Sequence, residues 1–179
     1  MDSRQRFPFL ATAFRAVPCT LAVLVLCVVP SLVPAQEKSR TTDELTQQAD
    51  LVVVGKVAGM ESGWNSDRSR IYTTVKLAVD QTLKGDAGSA SVSILVPGGE
   101  VDGVGELYSH TPQFKKNEDV VVFAEKDKQG RYRISGGHEG KVSVMKDEAT
   151  GTRFLPNRMR LENFETEIRN SVRAQSMKE

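Results

Sequence analysis

In the stretch Ile71-Tyr72-Thr73-Thr74-Val75-Lys76-Leu77-Ala78-Val79-Asp80, the residues Ile71, Thr73, Val75, Leu77 and Val79 alternate with Tyr72, Thr74, Lys76, Ala78 and Asp80. A period of two predicts a strand with one face toward a core. Upstream, Leu51-Val52-Val53-Val54 is uncharged and mostly β-branched, which predicts a strand buried on much of both faces. Gly55 and Gly59 interrupt that run, and glycines inside a strand mark bulges or tight curvature. Downstream, Lys84-Gly85-Asp86 turns the chain, and a third strand over 90–96 stops at Pro97-Gly98-Gly99. A fourth and a fifth strand are predicted over 119–124 and 131–134, joined by the turn Asp127-Lys128-Gln129-Gly130. Weaker candidates over 141–144 and 152–155 flank the turn at 147–151. Between Gly98 and Phe114 the chain is Gly-rich and aperiodic, and long loops in small domains are often functional.

Helices are predicted at both ends of this β-rich stretch. Thr41-Thr42-Asp43-Glu44 carries a capping-box pattern, a Thr three residues before a Glu, opening a short helix over 42–49. At the other end Leu161, Phe164, Ile168 and Val172 recur at helical spacing in a charged segment, so an amphipathic helix docks by that stripe. The expected fold is therefore mainly β: a five-stranded antiparallel barrel with a short N-terminal helix and a C-terminal amphipathic helix. Closure of a sheet removes exposed edges, which favours a barrel over the alternative immunoglobulin-like sandwich.

Residues 1–35 read as an export leader. Arg4, Arg6 and Arg15 precede an uncharged run over 16–29, followed by the small-residue pattern Val33-Pro34-Ala35. A basic start, an apolar stretch of about 7–15 residues and a small-residue cleavage site describe a signal peptide. Spanning a bilayer takes about 20 apolar residues, so cleavage near Ala35 is preferred to an uncleaved anchor. The expected protein is periplasmic or extracellular, with no stable membrane span after cleavage. Three segments follow: 1–35 the signal peptide, 36–156 the barrel domain with its N-terminal helix, and 157–179 the docking helix and tail. Cys19 and Cys27, the 2 cysteines of the chain, both lie in the leader, so the exported chain would hold together by core packing alone.

The 179 residues carry 24 Lys+Arg against 23 Asp+Glu, a formal net charge of +1 that lacks the basic footprint of a dedicated nucleic-acid binder. Two His and two Cys leave little for an all-protein zinc site, and 39% hydrophobic residues argue against disorder.

The run Ala49-Asp50-Leu51-Val52-Val53-Val54-Gly55-Lys56-Val57 resembles the opening strand of the tissue inhibitors of metalloproteinases and the wider netrin-like modules. Similarity continues through Ile71-Tyr72, Leu83-Lys84-Gly85, Val120-Val121-Val122-Phe123-Ala124 and Gly136-Gly137-His138-Glu139-Gly140, covering about 49–144. The chain is still more similar to small secreted bacterial proteins of unassigned function, some joined to secreted metalloproteases, that share the loop Pro97-Gly98-Gly99-Glu100-Val101-Asp102-Gly103. The resemblance implies an OB-type five-stranded barrel. It does not carry over the inhibitors' zinc chelation by an N-terminal cysteine, because no cysteine follows the leader to inherit that role.

Candidate sites are few. Glu100, Asp102 and Glu106 could offer oxygens to calcium, but the spacing of a calcium loop is missing and solvated loop carboxylates are the better account. His138-Glu139 lacks the second His of a metalloprotease helix, and its glycine neighbours argue against a helix; with His110 it makes two loop histidines rather than a metal pair. Ser91, Ser93, Ser109 and Ser143 stand near strands without a Gly-x-Ser-x-Gly elbow, so no catalytic group is singled out and a non-enzyme is expected. No metal or cofactor is expected. The polar loop from Glu61 to Arg70 holds Trp64, the 1 Trp of the chain. OB-type barrels often bind through the loop between their first two strands, and Trp and Arg are enriched at binding hot spots. Partner contacts are therefore expected at Trp64, Asn65, Asp67 and Arg68, with Glu100 and Asp102 from the Gly-rich loop. The expected function is an exported, non-enzymatic domain presenting loops to a protein partner. The alternative is a modulator or accessory domain of a secreted metalloprotease acting without cysteine–zinc chelation.

Overall fold

A computed structural model describes residues 39–177. The expected leader over 1–35 lies outside the described residues. The chain runs α1 (Thr42–Gln48), β1 (Leu51–Trp64), β2 (Ile71–Lys84), β3 (Ser91–Pro97), β4 (Gly99–Val101), β5 (Val104–Glu106), β6 (Asp119–Lys126), β7 (Tyr132–Ile134), a 3₁₀ turn (Gly137–Gly140), β8 (Lys141–Lys146), β9 (Arg153–Phe154) and α2 (Leu161–Ser176). The protein is mainly β with a helix at each end of the described chain, as expected.

Local chemistry explains α1. The Thr41 hydroxyl accepts from the Glu44 N–H at 3.2 Å, and the Glu44 carboxylate accepts from the Thr41 N–H at 2.9 Å. This reciprocal pair satisfies two of the N–H groups that a helix start leaves open.

The sheet departs from an all-antiparallel barrel. Seven strands form one mixed sheet in the order β1-β2-β3-β7-β6-β8-β9, with β1 also paired to β6. The β3–β7 pairing is parallel and short, Ile94 with Tyr132 and Leu95 with Arg133. The weaker strand candidates are real: β8 extends the sheet beyond β6, and β9 pairs with β8. Parallel pairing arises because β3 and β7 are joined not by a hairpin but through 98–118 and β6, after which the chain turns back antiparallel to β6 and so runs along β3.

The run Leu51-Val52-Val53-Val54 is buried on both faces because it feeds two cores. Val52 and Val54 join Leu45, Val121, Phe123, Leu161, Phe164 and Ile168 beneath the helices. Leu51, Val53 and Val57 join Val75, Leu77, Ile94, Val120 and Val122 between the strands. β6 divides its side chains the same way, Val121 and Phe123 to the helices, Val120, Val122 and Ala124 to the strands. Burying each such Val or Phe contributes about 1.5–3 kcal/mol. Phe123 meets Phe164 of α2 edge-on at 6.3 Å between centroids, which seats the predicted stripe.

β1 reaches further than the apolar run predicts. Its register against β2 shifts three times, at Val52/Val53, Val54/Gly55 and Val57/Gly59, the last two at the predicted bulge glycines. A side chain at Gly55 would overlap the carbonyl oxygen of Ala78, so only glycine lets the two strands approach there. Beyond the last shift, Met60 to Trp64 pair with Val75 to Ile71 and carry the β1–β2 ribbon past the helix-covered half. Among the described residues no helix is long and apolar enough to cross a membrane.

Candidate functional site

The ribbon ends in a tight loop over 65–70. Asn65 Oδ1 accepts from the Ser69 and Arg70 N–H groups at 2.9 and 3.0 Å, and Asp67 Oδ1 accepts from the Ser69 N–H and hydroxyl at 3.0 and 2.6 Å. The Ser69 hydroxyl and then its N–H hold the Asp67 carboxyl below the ordinary Asp range. Arg68 takes a left-handed φ of 57°. Of the residues expected to meet a partner, Asn65 and Asp67 thus spend these oxygens closing the turn, while Arg68 is exposed. Trp64 is not in the loop: it is the last residue of β1, half-buried and paired with Ile71.

The Gly-rich segment is not an open loop throughout. Gly98 N–H donates to the Ile71 carbonyl at 2.8 Å, and the Thr73 hydroxyl donates to the Gly98 carbonyl at 2.7 Å. β4 and β5 then form a small hairpin through Asp102-Gly103, with φ of 53° and 77°, the left-handed pair of a type I′ turn. Gly99 has φ 135° and lies against the hydroxyls of Ser62 and Thr73, where a Cβ would overlap both. The hairpin is thereby laid on the β1–β2 ribbon. Glu100 and Asp102 are exposed on it.

A polar latch joins this hairpin to the 65–70 loop. Glu106 Oε2 accepts from the Ile71 N–H at 3.1 Å and from the Tyr108 hydroxyl at 3.0 Å. The Tyr108 oxygen accepts in turn from Arg70 at 2.7 Å, and the guanidinium stands 5.9 Å from the Tyr108 ring centroid. That hydrogen bond raises the Arg70 pKa. Sequence reasoning brings neither Arg70 nor Tyr108 forward, because they lie 38 residues apart with no shared motif.

Two grooves lie along this end of the β1–β2 ribbon, and Glu106 and Tyr108 of the latch line the first. One, of about 500 Å³, is lined by the hairpin, by Met60, Val75 and Val96 of the strands, and by Pro112 and Phe114 of the segment 107–118 that returns the chain to β6. Leu107 on its wall is 81% exposed, and Met60 and Val104 are 44% and 48% exposed. Glu100 and Glu106 also line it. The second groove, of about 680 Å³, lies along Trp64, Tyr72, Thr74 and Leu95.

The returning segment is pinned from below. Lys141 Nζ lies 2.6 Å from Glu118 Oε1, donates to the Gln113 carbonyl at 2.8 Å and sits 5.4 Å from the Phe114 ring centroid. The Ser143 hydroxyl donates to the same Glu118 oxygen at 2.7 Å. Burial pushes the Glu118 carboxyl up, but the Lys141 and Ser143 hydrogen bonds outweigh it and leave the pKa below the ordinary Glu range.

The remaining candidates find structural surroundings. Glu139, on a 3₁₀ turn and not an α-helix, accepts from the Ser39 hydroxyl at 2.5 Å and the Arg40 N–H at 3.0 Å, and these bonds lower its pKa. His110 and His138 line one cavity with Glu139, yet among the described residues no three groups come together as metal ligands. Ser109 and His110, neighbours in sequence, share a 3.0 Å hydrogen bond on the exposed surface. Glu106, a candidate calcium oxygen by sequence, is committed to the latch. No family model and no curated protein matches this chain.

Proposed function

We propose that the chain is an exported, non-enzymatic binding module of the netrin-like OB type, presenting a rigid lip to a protein partner. The barrel half of this reading is supported by the pairings β1-β2-β3-β7-β6, which return to β1. The observation that carries the function is the Arg70–Tyr108–Glu106 latch. It makes the 65–70 loop and the β4–β5 hairpin one body, so little ordering entropy remains to be lost on binding. Exposed Leu107, Met60 and Val104 supply apolar contact, and Glu100, Asp102 and Glu106 make the rim acidic. The matching partner segment is apolar with adjoining Lys or Arg. Insertion of the same lip into the cleft of a secreted metalloprotease is the specific form suggested by the family resemblance.

The test is capture of envelope and culture-medium proteins on the immobilised domain, compared with Leu107→Ser. Because Leu107 is 81% exposed, this change leaves stability within about 0.5 kcal/mol. Proteins retained by the parent and lost from the variant are expected. Equal retention by both removes the lip as the binding surface.

A further inference from the structure

One wall of the first groove is main chain. β4 and β5 form a two-stranded sheet of their own, joined by the two-residue I′ turn. In such a hairpin the residues flanking the turn, Val101 and Val104, face each other as a hydrogen-bonded pair, and so do Gly99 and Glu106 two places on. Glu100 and Gly105 between them form the other kind of pair, whose N–H and C=O groups point away from the partner strand, one set on each edge. Both residues line the groove. Edge groups of this kind are a template for another strand, and neither β4 nor β5 carries the Lys or Pro that commonly blunts an edge.

Gly105 supplies a second, independent sign. It is exposed, its φ lies outside the left-handed region, and a Cβ there would meet only the Gly99 carbonyl oxygen, at 4.0 Å. The free fold therefore has no use for a missing side chain at this position, in contrast to Gly99, where a Cβ would overlap Ser62 and Thr73. A glycine inside a strand weakens it and often marks the place where another backbone approaches closely. Apart from β4, no strand among the described residues makes that approach to Gly105.

The surroundings define what approaches. Met60, Val75 and Val96 give the groove an apolar floor, and Leu107 stands 81% exposed on its wall. Glu106 is held in the latch, so the exposed charges of the hairpin are Glu100 and Asp102, both acidic. A strand added here turns alternate side chains to opposite faces, one set to the apolar floor and the next to the acidic rim. A second copy of this chain would bring its own Glu100 and Asp102 against the first pair, and like charges across strands destabilise. Taking the lip as the binding surface, we propose that the groove receives an extended segment of another polypeptide, alternating apolar and basic. The segment binds main chain to main chain as an added strand, with Gly105 as the point of closest approach.

A fluorescein-labelled heptapeptide that alternates lysine and valine is titrated with the full exported chain up to about 1 mM and followed by anisotropy. Saturable binding is expected. It weakens about tenfold or more when the backbone nitrogens of the peptide are methylated, which removes main-chain donors and leaves the protein untouched. Gly105→Val lowers the affinity by a similar factor without lowering the melting temperature, because its Cβ enters open space and valine favours strands. Should that variant lose its fold, the methylated peptide alone carries the test. No saturation, equal binding of the methylated peptide, or undiminished binding by a folded Gly105→Val overturns the inference. So does a dimer of the chain that Gly105→Val dissolves, which would give the groove to a second copy. Leu107→Ser tests the lip separately: envelope proteins lost from that variant but kept by Gly105→Val uphold the lip and remove the added strand.

Discussion

The two halves of the β1–β2 ribbon obey different rules. From Leu51 to Val57 every residue of β1 is buried except Lys56, because helices cover one face and strands the other. From Ala58 to Trp64 none is fully buried, and the hairpin segment touches the ribbon through the Gly98 N–H and carbonyl and the Glu106 carboxylate. The first half is fixed by apolar area, which is non-directional and large in sum. The second is fixed by hydrogen bonds, each contributing only about 0.5–1.5 kcal/mol net but demanding a defined geometry. Stability and display are thus divided along one strand. The helix-covered half can hold the fold while the open half stays polar enough to remain in water until a partner arrives.

The sharpest challenge to this division is Phe123→Ala. Phe123 is fully buried beneath α2, and its truncation is expected to cost about 3–5 kcal/mol in chemical denaturation. A loss under about 1 kcal/mol would mean that the helices do not carry the stability assigned to them.

Glu118→Gln acts beside Val57, where the buried half ends, and is expected to cost less, about 1–3 kcal/mol, by leaving the 10%-exposed Lys141 ammonium without its carboxylate. Its pH dependence follows from the lowered Glu118 pKa. The folded value lies below the unfolded value of about 4.3, so the ionised form contributes fully above that pH. The contribution is lost as pH falls through the folded value. The stability gap between parent and variant is therefore flat near neutrality and narrows in acid; a gap that widens in acid would reverse the assignment.

Tyr108→Phe sets the lower bound. It removes two hydrogen bonds of a partly exposed hydroxyl, and the melting curve is expected to move by no more than about 1 kcal/mol. Amide exchange in the 65–70 loop should nevertheless speed up, while exchange in β6 stays unchanged. If the loop amides do not respond, the latch is not what unites loop and hairpin.

Much of this architecture is legible residue by residue. The Thr41–Glu44 box, the helical spacing of α2's stripe at Leu161, Phe164 and Ile168, and the bulges at Gly55 and Gly59 all follow from local rules that tertiary context did not override. The β4–β5 hairpin was open to the same kind of rule, since Val101-Asp102-Gly103-Val104 is a two-residue I′ turn between β-branched neighbours. Its glycine-rich surroundings conceal it, because the flanking strands are only three residues each. Trp64 is misplaced for a related reason: polar residues from Glu61 onward look like loop when a ribbon projects into solvent and needs no apolar face.

The candidate site divides along the same line. Sequence alone selects the two segments, 61–70 and 98–114, from their composition and position between strands. Only the folded chain brings Arg70 to Tyr108, pairs β3 in parallel with β7, and lines up Tyr72, Leu95 and Arg133 on one open face. Capping, alternation and turn chemistry are encoded within a few residues, so they can be read from the chain in order. Contacts between distant segments depend on which strands meet and in what register, a property of the whole packed sheet that no short window contains.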